Sequence, residues 1–162
     1  MPLSASPPAD ARKVTSDEAN GPEPLVPPLP TPVAVVVTAL RNVKVSVTDL
    51  AVARDRYGVV FGLVSIMEFP DDGAVVRGIH GEIPGLGAVL ALREDPEAAR
   101  GLGGFAIANF TVPDRSTLEP WVSHLDALGV EHSGIRDTPR SSLLVMLNPD
   151  GQAIHLYTPM PG

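Results

Sequence analysis

The chain contains no cysteine, which excludes disulfides, thiolate metal sites and a cysteine nucleophile. The same absence fits a cytoplasmic setting, where thiol chemistry is dispensable to the fold. Aromatic residues are scarce, with one Trp, two Tyr and four Phe, so walls for stacking flat rings are few. Basic residues are outnumbered, 12 Lys and Arg against 19 Asp and Glu. The resulting net charge of −7 argues against a nucleic-acid partner or an anionic membrane surface. No apolar run approaches the length needed to cross a bilayer. The longest, Val33–Leu40, follows proline-rich sequence rather than a basic start, and reads as a strand or its lead-in rather than a signal peptide. What remains, 162 residues with 44% hydrophobic content, suits one globular domain with a sizeable core.

Nine of the eighteen prolines fall within the first 32 residues. Proline fixes its own φ and pushes its predecessor towards extended conformations. Residues 1–38 are therefore expected to form a disordered or polyproline-like tail. Pro27–Pro30 has the composition of a groove-docking segment, but the composition around it favours a linker, and no function is assigned to the tail.

The ordered remainder, residues 39–162, repeats itself. Asn42–Val47 and Ile107–Val112 are alternating strands, each followed by a turn acid, Asp49 or Asp114, at an identical offset of 65 residues. An amphipathic helix follows each acid. The first carries Leu50, Ala53, Tyr57 and Val60 or Phe61 and stops at Gly62. The second carries Leu118, Trp121, Val122, Leu125 and Leu128 and stops at Gly129. Three strand-like runs close each half: Leu63–Phe69, Ala74–Ile79 and Ala88–Arg93, then Val130–Ile135, Ser142–Leu147 and Ala153–Tyr157. Glu94–Gly104 reads as a polar connection, and Gly78–Gly87 as a glycine-rich loop. The pattern predicts an α+β fold: tandem βαβββ modules, about residues 39–96 and 103–160, forming a curved, barrel-like mixed sheet around a pocket.

The motifs carry a resemblance. Val43-x-Val-x-Val-Thr-Asp-Leu50, Ala53-x-x-x-Tyr57-x-x-Val-Phe-Gly-Leu63, Phe110-x-Val-Pro-Asp114 and Leu125-x-x-Leu-Gly-Val130 occur in order. They end in Asn148-Pro-Asp-Gly-x-x-Ile-His-Leu-Tyr157. Over residues 39–159 the chain resembles the vicinal oxygen chelate superfamily of glyoxalase I, extradiol dioxygenases, fosfomycin-modifying enzymes and bleomycin-resistance proteins. The family's closing motif has Asp where this chain has Asn148. Metal-dependent members place ligands on the first, fourth, fifth and eighth strands. By motif those positions are Asn42, Ala91, Ile107 and His155 here. Ala91 and Ile107 are hydrocarbons, so the resemblance implies the fold while the residues imply that its metal site is lost. No metal and no cofactor are expected.

If Asn42 and His155 face inward, alternation places Lys44, Ser46, Asn109, Thr111, Arg93 and Tyr157 on the same inner face, with Val89, Ala91 and Ile107 as apolar wall. The ligand-binding candidates are accordingly Asn42, Lys44, Arg93, Ile107, Asn109, His155 and Tyr157. The expected function is metal-independent binding of a drug or secondary metabolite, as in bleomycin-resistance proteins. A metal-free enzyme is the alternative, with His155, Lys44 and Tyr157 as its catalytic candidates for acid–base isomerisation, cyclisation or elimination. A metal-dependent glyoxalase or dioxygenase is a third reading. A basic or polycyclic ligand suits the protein's net charge, and the resemblance implies a homodimer. The faces of Glu68, Arg77, His80 and Arg136 are undetermined by alternation, as is the ligand's identity.

Overall fold

The computed structural model describes residues 38–160. The proline-rich tail expected up to residue 38 lies outside the described residues except for its last residue, as does the larger part of the Val33–Leu40 run. Residues 38–41 have no regular structure. The first module comprises β1 (Asn42–Val47), α1 (Leu50–Phe61), β2 (Val64–Pro70), β3 (Val76–Glu82) and β4 (Val89–Glu94). A short helix, α2 (Pro96–Gly101), leads to the second module. That module comprises β5 (Ala106–Thr111), α3 (Arg115–Ala127), β6 (His132–Asp137), β7 (Ser142–Leu147) and β8 (Ala153–Tyr157).

The two modules have the same topology. Their strand orders are β1-β4-β3-β2 and β5-β8-β7-β6. In each, a helix carries the chain to the far edge of the sheet, and a meander brings the last strand back parallel to the first. The α+β class and the tandem βαβββ order are as the pattern predicts. The sheets are two, four-stranded and curved but not closed.

Local chemistry explains the helix ends. Asp49 accepts from the Val52 amide at 2.9 Å and Asp114 from the Thr117 amide at 2.9 Å, so each turn acid caps its helix. Gly62 ends α1 with φ of 70°, a left-handed conformation that disfavours any side chain. The connection Glu94–Gly104 is more ordered than its composition predicts. Asp95 caps α2 through the Ala98 amide at 3.0 Å, with Pro96 in the first turn.

The glycine-rich segment also differs from expectation. β3 starts at Val76 and runs on to Glu82, so residues 80–82 belong to the sheet and the loop shrinks to 83–88. Ladder pairs continue through Gly81 with Leu90 and Glu82 with Val89. Glycine at 81 is there for space. A Cβ on Gly81 would lie 2.5 Å from Leu63 Cδ1 and 2.7 Å from its Cγ, and Leu63 is buried. Gly81→Ala is expected to cost about 1 to 2 kcal/mol through overpacking, which urea unfolding of the two proteins would measure. A change below about 0.5 kcal/mol would show that Leu63 repacks freely.

One core runs through both modules. Val45, Val47, Leu90 and Leu92 of the first sheet join Leu144, Met146, Ile154 and Leu156 of the second, with Leu50, Tyr57, Leu118 and Leu125 from the helices. α1 reaches across the module boundary. The Phe61 ring lies 5.7 Å from the rings of Phe110 and Trp121, and a His124 ring nitrogen lies 3.1 Å from the Val60 carbonyl oxygen. A polar seam accompanies these contacts. Gln152, fully buried, donates to the carbonyls of Ser46 at 3.0 Å and Ala99 at 3.2 Å. Its own carbonyl accepts from Asn148 Nδ2 at 2.9 Å, and Asn148 Nδ2 also donates to the Tyr57 hydroxyl at 3.3 Å. The Thr48 amide adds a bond to Asp150 at 3.0 Å. The turn at 148–151 is thus a fastener between modules as well as a hairpin connection. No helix among the described residues is long and apolar enough to cross a membrane.

Candidate functional site

With Val45, Val47, Leu90 and Leu92 turned into the core, the period of two turns the remaining residues of each strand the other way. Residues paired directly across strands share a face. In the first sheet this sets Lys44 beside Ala91, and Ala91 beside His80. The next row holds Ser46, Arg93 and Gly78, and the row on the other side Asn42, Val89 and Glu82. Met67 and Phe69 extend these rows onto β2, and the Phe69 and His80 ring centroids are 4.5 Å apart. In the second sheet Asn109 pairs with His155, and His155 with Val145. Thr111, Tyr157, Leu143 and Arg136 form the neighbouring row. Lys44, Arg93, Asn109, Thr111 and Arg136 are exposed, so both faces stand open to solvent in the single chain.

Six of the seven binding candidates therefore lie on open sheet faces, in two groups. Asn42, Lys44 and Arg93 belong to the first sheet; Asn109, His155 and Tyr157 belong to the second. The Tyr157 hydroxyl lies 3.3 Å from His155 Nδ1, with the two rings roughly edge to face at 5.6 Å. Ile107 is placed differently from expectation. A bulge in β5 falls between Ala106 and Ala108, and the extra residue, Ile107, packs against the core. A bulge reverses the alternation on which an inward-facing Ile107 depended.

The structure also settles faces that alternation left undetermined. His80 and Arg136 join the open faces through their pairing with Ala91 and Leu143. Glu68 pairs with core-facing Ile79 and so lies on the helix side. Arg77 is engaged by Asp71, at 3.1 Å, and by Glu94, which also accepts from the Leu50 amide at 3.3 Å. The Arg77 guanidinium and two backbone amides hold the Asp71 carboxyl below the usual carboxylate range. His132 finds a partner in Asp126 at 3.0 Å. Met67, Phe69, His80 and Glu82 were absent from the sequence candidates. The signal that would have found His80 and Glu82 is their spacing of two and four from Gly78, hidden by the glycines around them.

A recess of about 670 Å³ adjoins the first open face. Val64, Glu82 and Val89 line it from the sheet, Arg41 from the lead-in, and Pro84, Gly85 and Gly87 from the loop. That volume is in the range of small-molecule pockets.

The positions that the resemblance associates with metal ligands do not form a donor set. Asn42 and Ala91 lie on the first sheet and His155 on the second, while Ile107 is in the core packing. Two of these side chains have no lone pair to give, and the set does not fit a divalent ion. Among the described residues no group of three or more His, Cys, Asp or Glu is placed to hold one.

The architecture is the vicinal oxygen chelate fold. Solved structures show it at low sequence identity. A glyoxylase/bleomycin resistance protein/dioxygenase domain from Frankia sp. EAN1pec superposes with a TM-score of 0.64 at 19% identity, over 78% of this chain and 96% of that one. TnmS3, an antibiotic binding protein from Streptomyces sp. CB03234, gives 0.63 at 22% identity, over 77% and 98%. A lactoylglutathione lyase from Agrobacterium tumefaciens gives 0.61 at 18% identity, over 75% and 94%. No protein-family model and no curated protein sequence matches the chain.

Proposed function

We propose that this protein binds a small organic molecule, a drug or secondary metabolite, on its open sheet faces without a metal ion. The carrying observation is the make-up of those faces: an apolar floor of Val89, Ala91, Leu143 and Val145 with polar groups, among them Lys44, Arg93, Asn109, His155 and Tyr157, set into it. That combination suits an organic ligand. The absence of donor atoms at Ala91 and Ile107 supports metal independence, and the fold shared with an antibiotic binding protein supports the ligand class. A homodimer completes the reading. A second copy would cover faces that one chain leaves open, and edge strand β2 exposes Val64, Ile66 and Met67, an apolar strip suited to a protein contact.

A second reading, a metal-free enzyme, draws on one contact. The hydroxyl–imidazole pair of Tyr157 and His155 on the open face is the arrangement proton transfer needs, and Lys44 would stabilise an oxyanion. The shared fold of a lyase is compatible with it.

The experiment is a screen of polycyclic and peptide antibiotics by thermal shift and mass spectrometry, with sedimentation velocity to set the oligomeric state. The proposed function predicts a raised Tm, an unchanged ligand and binding undiminished by chelator treatment. His155→Ala should then weaken binding about tenfold, the worth of one polar contact in an apolar site. A chemically altered ligand, with turnover abolished in His155→Ala while binding survives, would select the enzyme. Activity or binding restored by added divalent ions after chelation would overturn metal independence.

A further inference from the structure

We infer that the first module's open face takes an organic anion, held through its carboxylate, sulfonate or phosphonate oxygens by Lys44 and Arg93. The inference rests on the proposed binding role of that face and names the charge of what it binds.

The basis is a local charge opposite to the protein's own. Arg54, Arg77 and Arg115 are each ion-paired, and Arg56 donates to the Leu128 carbonyl. Lys44 and Arg93, like Arg41, Arg100, Arg136 and Arg140, make neither a side-chain ion pair nor a side-chain hydrogen bond among the described residues; what sets these two apart is that they are neighbours on one open sheet face. Lys44 pairs with Ala91, and Arg93 follows two residues later on the same strand. Inter-strand spacing and two residues of rise therefore set their Cβ atoms about 8 Å apart. One oxyanion bridges two cations at that separation once their long side chains lean together.

Arg93 is directed by a neighbour with no side chain. A Cβ on Gly78, its partner on β3, would lie 3.4 Å from Arg93 Cδ and 3.5 Å from its Nη1. The guanidinium thus folds across the sheet over Gly78 rather than standing away from it. In that position it faces whatever occupies the open surface.

The carboxylate that shares this face, Glu82, is two strands and one row from Lys44. That is about 12 Å by the same spacing, beyond a physiological screening length of about 8 Å. The nearest other acid, Glu94, follows Arg93 in sequence but lies in the core-facing row with Val47, where Arg77 and the Leu50 amide engage it. Any ligand covering Lys44 and Arg93 strips their water. Two desolvated cations of like sign need a counter-charge, which a neutral or cationic ligand cannot supply. The net charge of the chain favours a basic ligand; the charges within contact distance decide otherwise.

A matched pair of fluorescent probes tests this: 8-anilinonaphthalene-1-sulfonate and N-phenyl-1-naphthylamine, which differ by the sulfonate. Both are titrated into the full chain and into K44M/R93M and K44R/R93K. Circular dichroism confirms folding, which these exposed positions leave intact. The expected result is a preference of about 10- to 100-fold for the sulfonate, the worth of one or two charge-assisted contacts. It should be retained in K44R/R93K, lost in K44M/R93M through weaker binding of the sulfonate, and reduced by added salt. Equal affinity for both probes, or a sulfonate preference that survives K44M/R93M, overturns the anion inference and leaves a small-molecule site standing. Binding of neither probe up to millimolar concentration overturns the inference together with the site.

Discussion

Gln152→Ala is expected to destabilise the protein by about 3 to 5 kcal/mol, the largest effect of any single truncation considered for this chain. Gln152 is fully buried and uses both ends of its amide. It donates to the carbonyls of Ser46 and Ala99 and accepts from Asn148. Alanine leaves these partners without a counterpart and opens a cavity at the junction of β1, α2 and the start of β8. Domains of this size have about 5 to 15 kcal/mol in all, so a fall in Tm of at least about 10 °C should accompany the loss. Gln152→Glu discriminates packing from hydrogen bonding. It preserves volume but faces two carbonyl oxygens with an acceptor, and should be no better than alanine. A Gln152→Ala protein within about 1 kcal/mol of the parent would show that the seam is not what joins the modules.

Tyr57 should make stability fall steeply at high pH. Burial, against a smaller opposing effect of the Asn148 hydrogen bond and a reinforcing one from the Asp150 charge, raises its phenol from 10.0 to about 12. The unfolded chain releases the proton near pH 10 and the folded chain near 12. Between these values the unfolded state binds fewer protons, so stability is complete below pH 10 and declines as pH rises through the window. Two pH units correspond to about 2 to 3 kcal/mol. Urea unfolding at pH 9 and pH 12 measures this for the parent and for Tyr57→Phe. The variant should lose about 1 kcal/mol at neutral pH with its hydrogen bond from Asn148, and should lack the alkaline decline attributable to this residue. An identical decline in both proteins would assign it to other groups.

The seam and the open faces differ in how far sequence reading could reach. Alternation along β1, and the pairing of capping acids with helix-ending glycines, are local periodicities. Alternation groups Lys44, Asn109, His155 and Tyr157 on one strand face, and the strand register turns that face away from the core. The reading stopped where the period broke. The β5 bulge sent Ile107 into the core packing, and glycines disguised the end of β3, so His80 and Glu82 passed for loop. Asn148-Pro-Asp-Gly151 was legible as a turn, but nothing local in it says that Asn148 reaches Tyr57 of the other module.

The sequence by itself therefore determined the repeat, the class of fold and the side chains available to each sheet face, because strand and helix periods are properties of near neighbours. Tertiary structure alone decided how those faces are used. It joined Gln152 to Ser46 across 106 residues, engaged Arg77 with carboxylates while leaving Lys44 and Arg93 without them, and kept the two sets of candidate residues on separate sheets. Each is a contact between chain segments far apart in sequence. Such contacts follow from which surfaces pack together, and no periodic pattern records them.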